Sequence, residues 1–223
     1  MLARRLTLFA FRTAWLIIVY GAVFLCFLTF TLYLVGYETG KGFVFFRTEI
    51  GFLLAKREFV RDTAWMTAFY FHITGSMLCL LIGPFQFVSY FRKHFIGIHR
   101  KLGKVYILSV LAVGAPSGFY MALFANGGIL AQIGFSVLSV LWIVSTYLAY
   151  QSIRQKNIQA HMAWMVRSYA LTFSAVTLRA WVPILSLGFN VDHDYTVIIT
   201  AWLNWIPNVI VGELLLKYFP KKF

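Results

Sequence analysis

Charge is scarce in this sequence, and acid is scarcer still. Of its 223 residues 12% are charged, with 7 acidic residues against 20 Lys and Arg. A soluble domain carries about a quarter charged residues, so a chain this poor in charge does not solvate itself. Cysteine is nearly absent. Cys26 and Cys79 both sit inside apolar runs, which excludes a disulfide framework and a thiolate metal site. There is no Gly-rich phosphate loop, no HExxH and no serine elbow. Nucleotide binding, metalloprotease chemistry and serine hydrolysis therefore have no motif to rest on.

What fills the chain is apolar, at 61% hydrophobic and 19% aromatic. The composition is that of an all-α integral membrane protein. Six spans are expected, at 13–36, 64–90, 104–124, 129–151, 160–187 and 196–218, each near or above the roughly 20 residues needed to cross. The apolar run after MLARRLTLFAFR is span-length and lacks a small-residue cleavage site, so it reads as an uncleaved, peripheral first helix. Residues 37–63 mix both charge signs with Phe and Leu at helical spacing. They read as an amphipathic outer segment of a single membrane domain covering 1–223, with a re-entrant segment as the alternative. Spans two to five, residues 64–187, form the expected four-helix core, and 196–218 a sixth helix.

The formal charge of +13 has a topological meaning. Basic residues cluster between apolar runs: Arg4, Arg5 and Arg12, then Arg92, Lys93, Arg100, Lys101 and Lys104, then Arg154, Lys156 and Arg167, then Lys217, Lys221 and Lys222. The alternate turns at 126–128 and 190–194 have no Lys or Arg. The expectation is a cell (inner) membrane protein with N- and C-termini cytoplasmic, its partner the lipid bilayer and not nucleic acid.

Polar residues recur along one face of the apolar spans. His161, Met165, Ser168, Thr172, Ala175 and Arg179 step by 4, 3, 4, 3 and 4, and His72, Ser76, Cys79, Gly83 and Gln86 repeat the step. Gln132, Ser136, Ser139 and Thr146 keep a face of the fourth span, as do Thr200, Asn204 and Asn208 of the sixth. Such stripes must face protein or a wet cavity, and most of them are explained by helix packing alone. Gly114 and Gly118 form a small-xxx-small contact, and Pro84, Pro116, Pro183 and Pro207 are expected to kink their helices. A faint repeat aligns His99, Lys104 and Tyr106 with His161, Arg167 and Tyr169, the mark of two parallel hairpins.

Depth sorts the ionisable residues. Arg179 lies about 27 Å along the helix from His161, and His72 about 28 Å from the inner end of its span. His99 and His161 then share the inner level, and His72 and Arg179 the outer one. The inner pair reads as ligands of a haem or another metal, or as a proton-handling pair, against a plain reading as interfacial histidines. The outer pair reads as a pocket for an anionic or quinone oxygen, against an arginine that bonds helix-end carbonyls. Tyr106 and Arg167 accompany the inner pair. Glu213 is expected to pair with a neighbouring cation, and His94 and His193 to lie in solvated loops.

FHITGSMLCLLIGPFQF, HRKLGKVY and AHMAWMVRSYALTFSAVTLR resemble the bacterial membrane family called domain of unknown function 2306, over residues 65–185. That resemblance implies topology and carries no established activity. A looser resemblance is to transmembrane dihaem cytochromes b of the ascorbate-reductase type, which pair histidines between alternate helices. It implies haem b on His99 and His161 and a redox partner. A second haem on His72 lacks its partner, because the fourth span has no histidine. The leading expectation is a membrane electron-transfer protein. The alternatives are a transporter or small-ligand carrier, with His72, Gln86, Arg179 and Asn204 lining the path, and a scaffold without chemistry.

Overall fold

The computed structural model describes residues 21, 56 and 58–218. The expected first span and nearly all of the outer segment lie outside them. The chain divides into two compact units, Met1–Asp62 and Thr63–Phe223. In the first, the described residues form a turn in which Phe59 and Val60 donate to the Lys56 carbonyl. All that follows concerns the second unit.

Five helices of the second unit are long and apolar enough to cross a membrane: Thr63–Phe87, Ile96–Ala122, Gly128–Arg154, Ile158–Gly188 and His193–Tyr218. They are the second to sixth spans of the sequence. No strand occurs among the described residues. The largest shift from expectation is at the third span, which starts at Ile96 and not at 104. Hydropathy stops at the cations of IHRKLGK. The helix does not, because Lys and Arg near a span end reach water on their own stems. His99 is consequently inside the helix.

Local signals explain the helix starts. Asn157 caps the fifth span by accepting from the Ala160 amide at 3.0 Å, and Asp192 caps the sixth through the Asp194 amide. Such caps satisfy amides that a helix start leaves open. The fourth span is preceded by Gly127, whose φ of 84° is left-handed backbone that glycine adopts freely.

Adjacent spans pack in sequence, the fourth against the Ile158–Thr172 half of the fifth, and the sixth lies against both. The second and third spans cross where glycine meets glycine. A Cβ on Gly75 would stand 2.9 Å from the Gly114 nitrogen, so no larger residue fits without parting the helices. Gly114 and Gly118 therefore do form a contact surface, with Gly118 under the His72 ring.

The prolines act unequally. Pro84 sits within an unbroken α-helix. Pro116 follows a π-helical turn, Ser109–Gly114, and Pro183 precedes another, Ile184–Gly188. Extra turns of this kind absorb the hydrogen bond proline cannot make. Pro207 lies just past a break at Asn204–Trp205 in the sixth span. The fifth span also breaks, at Phe173, with neither Pro nor Gly beside it. There Thr172 Oγ1 donates back to the Ser168 carbonyl at 3.0 Å, a side-chain bond that bends helices.

Candidate functional site

Residues seven apart on a helix lie on one face, about 10.5 Å apart along the axis. The polar stripes of the second to fifth spans follow that step and stack into three layers. The second span contributes His72, Cys79 and Gln86, the third His99 and Tyr106, the fourth Ser139 and Thr146, and the fifth His161 and Ser168.

The middle layer is a ring of four hydroxyls closed through Trp142, whose carbonyl accepts from Thr146 Oγ1 at 2.7 Å. Tyr106 Oη lies 2.9 Å from Ser168 Oγ and 2.8 Å from Thr172 Oγ1. Thr146 Oγ1 is 2.7 Å from Ser168 Oγ, and Trp142 Nε1 donates to Thr172 Oγ1 at 3.0 Å. Tyr106, Thr146 and Ser168 are wholly buried. Every member has a partner, so the ring ties three spans together. Cys79 donates its thiol to the Tyr106 carbonyl at 3.7 Å, which joins the second span to the same level.

One heptad away, toward the end carrying the cationic turns, lie the two histidines. The His161 Nδ1–H donates to the Ala149 carbonyl of the fourth span at 2.8 Å. A carbonyl only accepts, so Nδ1 carries a proton, and in the neutral ring Nε2 is the nitrogen with the lone pair. His99 and His161 are electrostatic neighbours, with Arg92 and Arg100 beside His99. His99 Nδ1 is buried and has no hydrogen-bond partner, and the same holds for Gln86 Nε2. The carbonyls at the end of the second span, those of Gln86 and Phe87, receive Arg92 Nη1 at 3.5 and 3.4 Å.

At the opposite end His72 is held in the same manner as His161. Its Nδ1–H donates to the Gly114 carbonyl at 2.8 Å, at the close of the π-helical turn. Arg179 is an electrostatic neighbour of His72 and donates Nη1 to the Ala175 carbonyl of its own helix at 2.7 Å. The two therefore share a level, as their sequence depth predicts.

Arg167 is placed elsewhere. It forms a two-pronged ion pair with Glu213 of the sixth span, Nε to Oε1 and Nη2 to Oε2 at 3.0 Å. Its guanidinium also stacks 4.5 Å over Trp164. Glu213 thus pairs with a cation as expected. His94 and His193 are exposed as expected but lie in helices and not in loops: His94 closes a short helix, Ser89–His94, with its ring 4.2 Å from that of Tyr90, and His193 opens the sixth span.

Two parts of the arrangement escaped the sequence reading. One is Trp142, apolar by class yet the donor that closes the hydroxyl ring. The other lies between the fifth and sixth spans, where Thr177 Oγ1 donates to the Asn204 carbonyl and Asn208 Nδ2 donates to both at 3.1 and 2.8 Å. Asn204 and Asn208 were legible as a stripe; Thr177, on the opposite side of the helix from Arg179, was not. Among the described residues no three His, Cys, Asp or Glu side chains gather as a metal cluster.

A family model described as a predicted membrane protein, DUF2306, matches residues 69–216, a stretch that contains all three layers. No curated protein and no solved structure matches the chain.

Proposed function

The chain belongs to the DUF2306 family of predicted membrane proteins, and from that premise we propose that it is a membrane electron-transfer protein holding one b-type haem between His99 and His161. The observation that carries this reading is the inner pair: two imidazoles at one level on alternate spans, one of them anchored through Nδ1 to the Ala149 carbonyl. A backbone acceptor on the far nitrogen is what fixes a ligating histidine in orientation and tautomer. The buried, unbonded Nδ1 of His99 is consistent with a group absent from the chain itself.

Ligand number selects the class of cofactor. A bare zinc ion in a protein takes three or four side chains. Porphyrin brings four nitrogens of its own, so two imidazoles complete its iron. When bound, haem supplies one-electron transfer. The chain supplies orientation from His161, burial from the hydroxyl ring below it, and positive charge from Arg92 and Arg100 beside His99. By the basic clusters at this end, the site faces the cytoplasm of a cell membrane, where a redox partner would meet it.

The experiment is an absorption spectrum of the purified protein in mild detergent, oxidised and then dithionite-reduced. Sharp reduced α and Soret bands, lost in His161→Ala and His99→Ala, are expected. A colourless folded protein from haem-replete cells rejects the reading. That result would favour a ligand carrier at the other end, where His72 is anchored through Nδ1 to the Gly114 carbonyl with Arg179 as its neighbour.

A further inference from the structure

The third span presents two different faces over its first turns. In the helix Ile96–Leu108, the side carrying His99, Leu102, Gly103 and Tyr106 is turned inward, half-buried at the first three and fully buried at Tyr106. Arg100, Lys101, Lys104, Val105 and Leu108 follow at steps of 1, 3, 1 and 3, which places them together on the other side. All five are exposed. Three cations thus stand within about 6 Å of helix axis.

Their order along the helix singles this face out. The cations come first and the apolar pair follows, with Val105 42% and Leu108 64% exposed. On a membrane span an exposed apolar side chain faces acyl chains, and cations one turn nearer the helix end stand at the level of the headgroups. Like charges three and four residues apart repel, and Lys101 with Lys104 and Arg100 with Lys104 are such pairs. Among the described residues none of the three forms an ion pair. Their mutual repulsion is relieved by an anion at the membrane surface.

We propose that this face of the third span binds a net-anionic phospholipid, its headgroup on Arg100, Lys101 and Lys104 and its chains along Val105 and Leu108. A zwitterionic headgroup carries the same phosphate together with an ammonium, which three adjoining cations repel. An anionic headgroup lacks that ammonium and keeps the attraction of all three. A soluble acidic partner would engage the cations alone; the apolar pair continuing the same face is what favours lipid. Cations at a span end also set the orientation in which a chain inserts. That role ends with insertion, and a protein in neutral detergent has no two sides, so a headgroup preference measured there reports binding. No cofactor enters the inference, which stands apart from the haem reading.

The test titrates the purified full chain, in a neutral mild detergent, with phosphatidylglycerol or phosphatidylcholine of matched chains and follows the thermal midpoint. Phosphatidylglycerol raises it saturably, with a half-point at least about tenfold below that of phosphatidylcholine. High salt erodes the preference, because exposed charges are screened. Lys101→Gln with Lys104→Gln removes most of it, whereas the same pair changed to Arg keeps it. Lys156→Gln, at an exposed cation of the fourth-to-fifth turn, also keeps it. Glycerol phosphate, the headgroup chemistry without chains, leaves the midpoint unchanged at the same concentration. An equal response to the two lipids overturns the proposal, as does a preference that survives in the Gln double variant or falls equally in Lys156→Gln. Stabilisation by glycerol phosphate as strong as by the lipid overturns it in favour of a soluble acidic ligand. Should the variants not fold, the wild-type preference between the two lipids and its loss in salt still decide.

Discussion

The ring of His161 is fixed by one bond, from its Nδ1–H to the Ala149 carbonyl 2.8 Å away on the neighbouring span. That bond commits the proton to Nδ1 and leaves Nε2 as the basic nitrogen. On His99 the corresponding nitrogen is buried and unbonded. The two histidines of the repeat are thus alike in position and unlike in support. Ligation by His161 predicts chemical rescue. In His161→Ala the reduced bands disappear, and millimolar imidazole restores part of them, because the cavity left accepts the free ring. A variant that stays colourless while its fold and haem supply are intact speaks against ligation at this position.

The hydroxyl ring predicts an order of stabilities. Tyr106→Phe removes one hydroxyl, but Thr172 keeps Trp142 as donor and Ser168 keeps Thr146. The cost is then the lost bonds alone, about 1–2 kcal/mol for hydrogen bonds between membrane helices. Thr172→Val conserves shape yet strands the Trp142 indole N–H in a site where that residue is 4% exposed. Leaving a buried donor without an acceptor costs more than losing a satisfied pair. Denaturation in mixed detergent micelles should rank Thr172→Val below Tyr106→Phe, and the opposite rank would show that the ring is not the closed network described.

The heptad step of the stripes made this layer legible in advance, because a polar residue in an apolar span has only the bundle to face. His72, Cys79 and Gln86 on one helix and His161 and Ser168 on another were readable as faces. Their partners were not. Trp142 enters the ring by a nitrogen that hydropathy does not register. The break at Phe173 has no Pro or Gly to announce it, since its cause is the Thr172 hydroxyl bonding back to Ser168. The third span begins early because its cations lie along helix and not before it. Period and charge placement report which way a residue faces; what it meets there depends on a second chain segment.

Two glycines of equal chemistry should respond differently to alanine. At Gly75 the added methyl meets the Gly114 backbone at 2.9 Å, and backbone cannot swing aside as a side chain can. Overpacking of this kind costs about 1–3 kcal/mol. Gly97, in the first turn of the third span, has nothing within 4 Å of the added Cβ, so Gly97→Ala should be neutral or stabilising by less than about 1 kcal/mol. Thermal unfolding of the two variants side by side checks the crossing. Equal effects would mean that the second and third spans do not meet at Gly75 and Gly114.

The anchored ring of His72 gives a sharper test, because its obstacle can be removed. A Cβ on Gly118 would stand 2.7 Å from His72 Nδ1 and 2.8 Å from Cε1. The ring cannot retreat without giving up the Gly114 carbonyl. Gly118→Ala alone should therefore be destabilising by about 1–3 kcal/mol. In His72→Ala the ring is gone and the same methyl enters vacated space, so the second substitution should cost little or restore stability. Residues in contact depart from additivity by about 0.5–3 kcal/mol, whereas separated ones add within a few tenths. The sign of the coupling is the reading: a double variant more stable than the sum of its parts places the His72 ring on Gly118, and strict additivity would remove it from there, along with the Nδ1–H bond to Gly114 that the ring's position implies.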